Sequence, residues 1–415
     1  MGHDMTLQQQ KQLEDIYVMH TFGRKPVEFV RGEGMRLWDD EGREYLDFLS
    51  GIGVVSLGHC HPKLTEALTA QVGKLMHVSN YYYIEGRGEL SEKLSNLLNS
   101  RVPEEQRESW QTFYANSGAE ANECAIKLAR LYARRQAEAA GSTARPQVIV
   151  VLERSFHGRT QATLSATAQP VKQEAFQPLP DEKLYVATPA NDVAALEALF
   201  AERGAEIAGM LIEPVQGECG VYPCTDEFLA AARRLCTENG ALLMFDEVQC
   251  GMYRCGTYPF AFQHANVLPD VVTMAKGIAG GVPMGACSAP AHVAAVFEPG
   301  IHGSTFGGSC LAITAANTVL DTVAAEGIAE NVTETGAYLR EKLASLPQVV
   351  EVRGKGLMVA VDLAEGLDAN AIVLAALEAG LVLNATGPHT LRFLPPLVCA
   401  REDVDALIER LAALL

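Results

Sequence analysis

Two polar side chains stand at the ends of largely apolar runs, where they would be sheltered from water. Asp246 closes the run 242–245, and Lys276 follows the run 271–275. A buried carboxylate can pair with a protonated pyridine nitrogen, and a desolvated amine that loses its proton can form an imine with an aldehyde. The pair therefore suits a pyridine aldehyde cofactor, although a helix cap at Asp246 and a surface lysine at Lys276 are equally open interpretations.

The elements that must position these residues are apolar segments without alternation. Such runs, bounded by Gly and Pro, are typical of strands buried on both faces of a parallel sheet covered by helices. The clearest predicted strands are residues 148–152, 209–213 and 241–245, and helix-compatible segments separate them. This order predicts an α/β fold, in which ligands bind at the carboxyl ends of the strands.

A third segment has the features of a phosphate-binding loop. Ser117, Gly118 and Ala119 follow a short apolar run and open a stretch whose apolar residues recur at helical spacing. The free backbone N–H groups and the dipole at a helix N-terminus both favour a phosphate. An ordinary capping box of Ser117 with Glu120 explains the same residues, so both interpretations stay open.

Composition narrows the classes of function. The chain has 415 residues and a formal net charge of -18, which argues against a nucleic-acid partner because such proteins need a basic surface. No run of 18 apolar residues and no signal-like N-terminus is found, so we expect a cytoplasmic protein without a membrane partner. The ten cysteines are expected to be reduced. Two C-x4-C pairs leave a metal-binding or redox protein as an alternative, but the spacing is unusual for zinc and we expect no metal.

The order of segments predicts the domain organisation. Residues 1–60 contain short strands joined at Gly-containing turns, which indicates a small meander. Residues 61–310 alternate helices and buried strands, as a large cofactor-binding domain would. Residues 311–415 form a C-terminal small domain that ends in a helical stripe and is expected to fold back onto the meander.

Several motifs together resemble the class III pyridoxal phosphate-dependent aminotransferases, over nearly the whole chain. Within that class the chain most resembles the acetylornithine aminotransferase subfamily. The matching stretches are FLSGIGV at 48–54, GHCHP at 58–62, NSGAEANE at 116–123, FHGRT at 156–160, EPVQGE at 213–218, DEVQ at 246–249, AKG at 275–277, HGSTFGG at 302–308 and RFLPPL at 392–397. The resemblance implies a fold-type-I transferase, with a mostly parallel seven-stranded sheet in the large domain and a smaller α+β domain.

The resemblance also implies how pyridoxal 5'-phosphate would be bound. Lys276 would hold the cofactor and move the substrate proton, and Asp246 would keep the ring nitrogen protonated. The remaining cofactor-binding residues that it implies are Ser117, Gly118 and Ala119 at the phosphate, Phe156 and Val248 on the two faces of the ring, Gln249 at the ring hydroxyl, and Thr305 at the phosphate of the other subunit. Thr305 in this role requires a homodimer with active sites at the interface.

Substrate recognition is implied by the same resemblance. Arg159 would bind a substrate carboxylate, and Ser304 belongs to the same substrate-binding set. Arg392 would bind the second carboxylate of glutamate or 2-oxoglutarate, and Glu218 would neutralise Arg392 until that dicarboxylate arrives. A fixed Glu218–Arg392 pair with a purely structural role is the alternative.

The expected reaction moves the δ-amino group of N2-acetylornithine to 2-oxoglutarate, as in arginine biosynthesis. Ornithine, succinylornithine, succinyldiaminopimelate and 4-aminobutyrate are alternative donors, because one acyl contact changes specificity by only about 1 to 3 kcal/mol. A catalytically silent relative that keeps the fold is a further alternative. Retention of Lys276, Asp246, Arg159 and Arg392 together argues against it.

Overall fold

A computed structural model describes residues 5–415 of the chain. The N-terminal part contains one helix, three short strands and a helical turn. In chain order these are α1 (Leu7–Tyr17), β1 (Phe29–Glu33), β2 (Arg36–Asp39), β3 (Glu44–Asp47) and α2 (Ser50–Gly53). Strands β1, β2 and β3 form an antiparallel meander, which confirms the predicted one.

The central part alternates helices and strands. Its elements are α3 (Pro62–Lys74), α4 (Arg87–Leu98), β4 (Trp110–Ala115), α5 (Gly118–Ala139), β5 (Val148–Leu152), α6 (Gln161–Ala166), α7 (Pro170–Gln173), β6 (Tyr185–Thr188), α8 (Val193–Arg203), β7 (Ile207–Ile212), β8 (Val215–Gln216), β9 (Tyr222–Pro223), α9 (Asp226–Asn239), β10 (Leu242–Asp246), β11 (Val271–Met274), β12 (Gly285–Pro290) and α10 (Ala291–Ala294).

Seven of these strands form one sheet, in the order β4-β12-β11-β10-β7-β5-β6. Strand β12 runs antiparallel to both of its neighbours, and the other pairings are parallel. The mostly parallel seven-stranded sheet and the α/β class predicted from the sequence are therefore confirmed.

Strand β10 explains why the apolar runs lack alternation. Leu243 and Phe245 pack into one hydrophobic cluster, whereas Leu242 and Met244 pack into a second cluster on the other face of the sheet. Helix α5 contributes to the second cluster, so both faces of the strand are removed from water. A strand covered on both sides needs apolar residues at every position, and the helices provide that cover.

The C-terminal part contains four helices and a second antiparallel sheet. Its elements are α11 (Cys310–Ala325), α12 (Ile328–Ala344), β13 (Val349–Lys355), β14 (Met358–Leu363), α13 (Ala369–Glu378), β15 (Leu381–Val382), β16 (Asn384–Ala385), β17 (Thr390–Phe393) and α14 (Arg401–Ala412). The sheet has the order β13-β14-β17-β16. The predicted stripe on the last helix is confirmed, since α14 buries Val404, Leu407 and Leu411.

One C-terminal strand extends the N-terminal meander. Strand β15 pairs with β3 in parallel, with Leu381 opposite Leu46 and Val382 opposite Asp47. The two ends of the chain therefore share a four-stranded sheet. The division at residues 60 and 310 stays a prediction.

Candidate functional site

Lys276 lies just beyond the carboxyl end of β11, in a short helical turn. Burial lowers the pKa of its amine, and the positive charge of Arg392 acts in the same direction, while Glu218 and Asp246 oppose the shift. Within residues 5–415 the Nζ atom has no hydrogen-bond or ion-pair partner. A lowered pKa increases the unprotonated fraction, which is the form that acts as a nucleophile or a base.

Asp246 is the last residue of β10 and is held by a network of donors. Its Oδ2 accepts hydrogen bonds from Nδ2 of Asn122 at 2.7 Å and from the ring Nδ1 of His157 at 2.8 Å. Its Oδ1 accepts the backbone N–H of Val248 at 3.0 Å. Asn122 is fixed in turn, because its Oδ1 accepts from the hydroxyl of Thr273 at 2.7 Å. The carboxylate is 3% exposed and therefore has a fixed orientation.

Both residues line one cavity of about 480 Å³. The cavity lies at the carboxyl ends of the parallel strands, where ligands bind in this fold class. The sequence-predicted residues that line it are Ser117, Gly118, Ala119, Phe156, Arg159, Asp246, Val248, Gln249 and Lys276. These nine residues come from four separate segments of the chain and meet at one place.

The N-terminus of α5 can accept a phosphate. Ser117 is the N-cap, and its hydroxyl accepts the N–H of Glu120 at 3.2 Å. The carboxylate of Glu120 accepts the N–H of Asn116 instead of completing the capping box at Ser117. The N–H groups of Gly118 and Ala119 belong to the first helical turn, which has no intrahelical acceptor for them. Both the capping and the phosphate interpretations are therefore compatible with this loop.

Close packing at Gly118 holds the N-terminus of α5 against the side chain of Val248. A Cβ atom at Gly118 would lie 2.7 Å from Cγ1 and 2.9 Å from Cγ2 of Val248. Only glycine lets the phosphate loop approach the Val248 side chain so closely. The loop, the Val248 side chain and the ring of Phe156 all line the cavity, together with the charged pair Asp246 and Lys276. These residues fit a phosphorylated pyridine aldehyde.

Glu218 and Arg392 form an ion pair beside the cavity. Glu218 Oε1 lies 2.7 Å from NH1 of Arg392, whose side chain is 1% exposed. Gln249 joins the pair, because its Nε2 donates to Glu218 at 3.1 Å and its Oε1 accepts from Arg392 at 3.0 Å. Arg392 also donates to Oδ1 of Asn384. Burial alone would raise the pKa of Glu218, but the charge and hydrogen bond of Arg392 lower it to about 2.

The Glu218–Arg392 pair gives a prediction about acid stability. In the folded protein the pKa of Glu218 is about 2, below the usual value of 4.5, so ionised Glu218 stabilises the fold. This contribution, about 3 kcal/mol, is complete above pH 4.5 and declines as the pH falls towards 2. We expect urea titrations to show wild type more stable than Glu218→Gln near neutral pH, with a difference that shrinks below pH 4.5.

The exposed ion pair of Glu197 with Arg234 supplies the control for that measurement. Glu197→Gln should change the free energy of unfolding by less than about 1 kcal/mol, because solvent screens exposed pairs. A stability difference between wild type and Glu218→Gln that stayed constant from pH 7 to pH 3 would contradict the expected ionisation of Glu218.

Ser304 and Thr305 are not brought into this cavity within one chain. They line a neighbouring cavity of about 350 Å³, and Asn116 lines both. The Ser304 hydroxyl accepts hydrogen bonds from Nδ2 of Asn116 at 3.2 Å and from the N–H of Gly307 at 3.0 Å. Thr305 is exposed. The roles of these two residues stay predictions.

Three further polar residues at the cavity were given no role by the sequence. Asn122 and His157 hold Asp246, and Glu213 lies close to both charged residues. Burial and the neighbouring Asp246 raise the pKa of Glu213 well above its usual value, which favours the protonated form of this carboxyl. The sequence marked these three residues only by including them in the motifs 116–123, 156–160 and 213–218.

The described residues 5–415 also bear on metal, membrane and disulfide sites. This part of the chain has no group of three or more His, Cys, Asp or Glu side chains arranged to hold a metal ion. None of its helices is both long and apolar enough to cross a membrane. All ten cysteines are free, and eight of them are buried.

Known proteins resemble the chain over almost its full length. The family model for class III aminotransferases matches residues 19–415. The acetylornithine aminotransferase of Thermosynechococcus vestitus is 46% identical over 402 residues, which cover 94% of this chain and 93% of that protein. The acetylornithine aminotransferase of Aquifex aeolicus is 45% identical, with 96% of this chain and 100% of that protein covered.

Solved structures agree with this assignment. The ornithine aminotransferase of Toxoplasma gondii superposes with a TM-score of 0.90 at 30% identity, covering 99% of this chain and 95% of that one. The acetylornithine aminotransferase of Elizabethkingia anophelis gives a TM-score of 0.84 at 32% identity and covers 99% of each chain. Family model, sequence relatives and cavity geometry lead to one conclusion, that this chain belongs to the class III aminotransferases.

Proposed function

We propose that this chain transfers the δ-amino group of N2-acetylornithine to 2-oxoglutarate, yielding N-acetylglutamate 5-semialdehyde and glutamate. The proposal rests on one observation. Lys276 and Asp246 line the same cavity, with Arg159 on its wall and the Glu218–Arg392 pair beside it. The relatives named acetylornithine aminotransferase, at 45 and 46% identity, support this choice of donor.

The proposed cofactor is pyridoxal 5'-phosphate. Gly118 and Ala119 would bind its phosphate, Val248 and Phe156 would enclose its ring, and Gln249 would reach its hydroxyl. When bound, the cofactor supplies an electron sink that stabilises negative charge on the substrate carbon. Asn122 and His157 fix the orientation of Asp246, whose carboxylate would hold a proton on the ring nitrogen of the bound cofactor.

Lys276 moves the proton in this scheme. Burial lowers the pKa of its amine, which favours the unprotonated form, and once released from the cofactor this amine would take a proton from the δ-carbon of the donor. The protonated amine would then deliver this proton to C4′ of the cofactor in the same half of the cycle. The raised pKa of Glu213 makes it less available as a base near neutral pH than Lys276.

Arg159 and Arg392 would bind different substrate carboxylates. Arg159 is exposed at the cavity wall and offers a planar, bidentate donor to the α-carboxylate of acetylornithine. Arg392 would bind a carboxylate of 2-oxoglutarate after Glu218 moves away. Electrostatics permit this movement, since the arriving carboxylate replaces the charge that Glu218 supplies and leaves no buried cation unpaired.

Purified protein supplied with pyridoxal phosphate provides the test. Turnover with 2-oxoglutarate is measured for N2-acetylornithine, ornithine, N2-succinylornithine and 4-aminobutyrate under the same conditions. We expect acetylornithine to have the highest kcat/KM. If it were the slowest donor, the proposed substrate would be wrong although the family assignment would stand.

We also propose a homodimer in which Thr305 reaches the phosphate of the partner's cofactor. Large apolar side chains next to this region support an interface, because single chains seldom expose so many together. Tyr81, Tyr83 and Phe306 are exposed by 94%, 101% and 64%. Light scattering should give the mass of a dimer at micromolar concentration, and an active monomer would contradict the proposal.

A further inference from the structure

Two basic side chains approach one aromatic ring at the wall of the cavity. The Nζ atom of Lys172 lies 4.5 Å from the ring centroid of Phe156, and Cζ of Arg159 lies 5.7 Å from the same centroid. Phe156 and Arg159 both line the cavity that contains Lys276. Lys172 comes from a different segment, the short helix α7, and no motif in the sequence drew attention to it.

The position of Lys172 is fixed by its neighbours on α7. Pro170 begins the helix, and Nε2 of Gln173 donates to the backbone oxygen of Leu164 at 3.0 Å. The adjacent Val171 is 83% exposed, whereas Lys172 is partly buried. The attachment of α7 through Pro170 and Gln173 therefore places the Lys172 side chain beside the ring of Phe156.

Neither basic group has an acidic partner in the described part of the chain. Lys172 and Arg159 form no ion pair within 4.0 Å, although most other arginines of this acidic protein do. Burial lowers the pKa of Lys172, Arg159 lowers it further, and Glu218 and Glu213 act against the shift. Lys172 does not itself line the cavity, but it approaches Phe156, which does, and the charges that act on its amine are those of the same site.

The geometry at the α-carbon of the donor determines which of its groups comes near Lys172. The α-carboxylate and the α-nitrogen are bonded to the same carbon, so a carboxylate held by Arg159 would place the α-nitrogen at the part of the wall formed by Arg159 and Phe156, which Lys172 approaches. In free ornithine this nitrogen is an ammonium, which a neighbouring lysine repels. In an N-acylated donor it is a neutral amide, whose carbonyl oxygen can accept a hydrogen bond from the lysine.

We propose that Lys172 determines donor specificity by selecting diamino acids whose α-nitrogen is acylated over those with a free α-ammonium. The inference rests on the proposed function, because it assumes that Arg159 binds the donor α-carboxylate. Discrimination here combines an attractive contact with the correct donor and a repulsive one with its competitor, as specific sites often do.

The test compares two donors in variants of one residue. Lys172→Met removes the charge and keeps a long side chain, whereas Lys172→Arg keeps the charge. The ratio of kcat/KM for N2-acetylornithine to kcat/KM for ornithine is measured with 2-oxoglutarate as acceptor. We expect Lys172→Met to lower this ratio about tenfold or more, through weaker acetylornithine and stronger ornithine turnover. Lys172→Arg should stay within about threefold of wild type.

The control variant is Lys183→Met, which removes an exposed lysine from the same part of the chain. Its ratio should equal that of wild type, so that a general effect of net charge is excluded. A ratio that is unchanged in Lys172→Met, in an enzyme active on acetylornithine, would overturn this inference and leave the proposed function intact. A wild-type protein inactive on acetylornithine would instead contradict the proposed function itself.

A charge-reversal variant gives a second, independent measurement. Lys172→Glu should attract the α-ammonium of free ornithine, so kcat/KM for ornithine should rise above that of wild type. Loss of turnover with both donors to the same extent would indicate a structural role for Lys172 and would also overturn the inference.

Discussion

Lys276→Ala should lower kcat by about 10³-fold or more, because it removes both the nucleophilic amine and the proton carrier. Lys276 is the only lysine among residues 5–415 that lines the cavity, and Lys172 approaches the ring of Phe156 without lining it. We expect the variant to fold, since the lost group was a buried base without a hydrogen-bond partner. Steady-state transamination at saturating donor and acceptor measures the effect.

Two comparisons make that result specific. The first is rescue by a small primary amine added to Lys276→Ala, which should restore part of the proton transfer if the cavity left by the side chain admits it. The second is Lys183→Ala, an exposed lysine away from the cavity, which should retain wild-type activity. Turnover by Lys276→Ala within tenfold of wild type would show that another group moves the proton.

Asp246→Asn should lower kcat by about 10² to 10⁴-fold, a loss typical of removing a group that controls protonation. Asparagine is neutral and cannot hold a proton on a ring nitrogen as a carboxylate does. Its amide also fits the site poorly, because Asn122 and His157 both donate to the Oδ2 position. If the amide nitrogen took the Oδ2 position, it would face the donors of Asn122 and His157. If the amide oxygen took that position instead, the amide nitrogen would face the N–H of Val248.

Asp270 is a matched control for Asp246. It stands just before β11, at the amino ends of the strands, where its carboxylate accepts the N–H of Leu243 at 2.7 Å and pairs with Arg233 at 2.8 Å. Asp270→Asn should reduce the unfolding temperature without changing kcat per folded molecule, whereas Asp246→Asn should reduce kcat per folded molecule as well as the unfolding temperature. Equal activity of Asp246→Asn and wild type would contradict the assigned role.

Much of the fold could be predicted because burial in a parallel sheet leaves a local pattern. The run ending at Asp246 is apolar at every position, since Leu243 and Phe245 face one cluster while Leu242 and Met244 face another. The start of α5 could also be predicted from the sequence, because a cap at Ser117 and helical spacing both depend on residues close together in the chain. The boundaries of β10 and β7 differ from the predicted ones by one or two residues, as strand ends often do.

No local sequence pattern predicts the pairing of Glu218 with Arg392. These residues are 174 positions apart, and Gln249 joins them from a third segment. The sequence suggested the pair only through resemblance, whereas the geometry gives its distance, its burial and the low pKa of Glu218. Electrostatic shifts depend on neighbours in space, so they follow only once the chain is folded.

The sequence by itself determined which groups the protein can use and where each stands along its strand or helix. Those properties follow from side-chain chemistry and from short-range periodicity. Tertiary structure alone decided that Asn122 and His157 hold Asp246, that Lys172 shares the ring of Phe156 with Arg159, and that Thr305 stays outside the cavity of its own chain. Such relations depend on close packing between distant segments, which no local pattern of residues encodes.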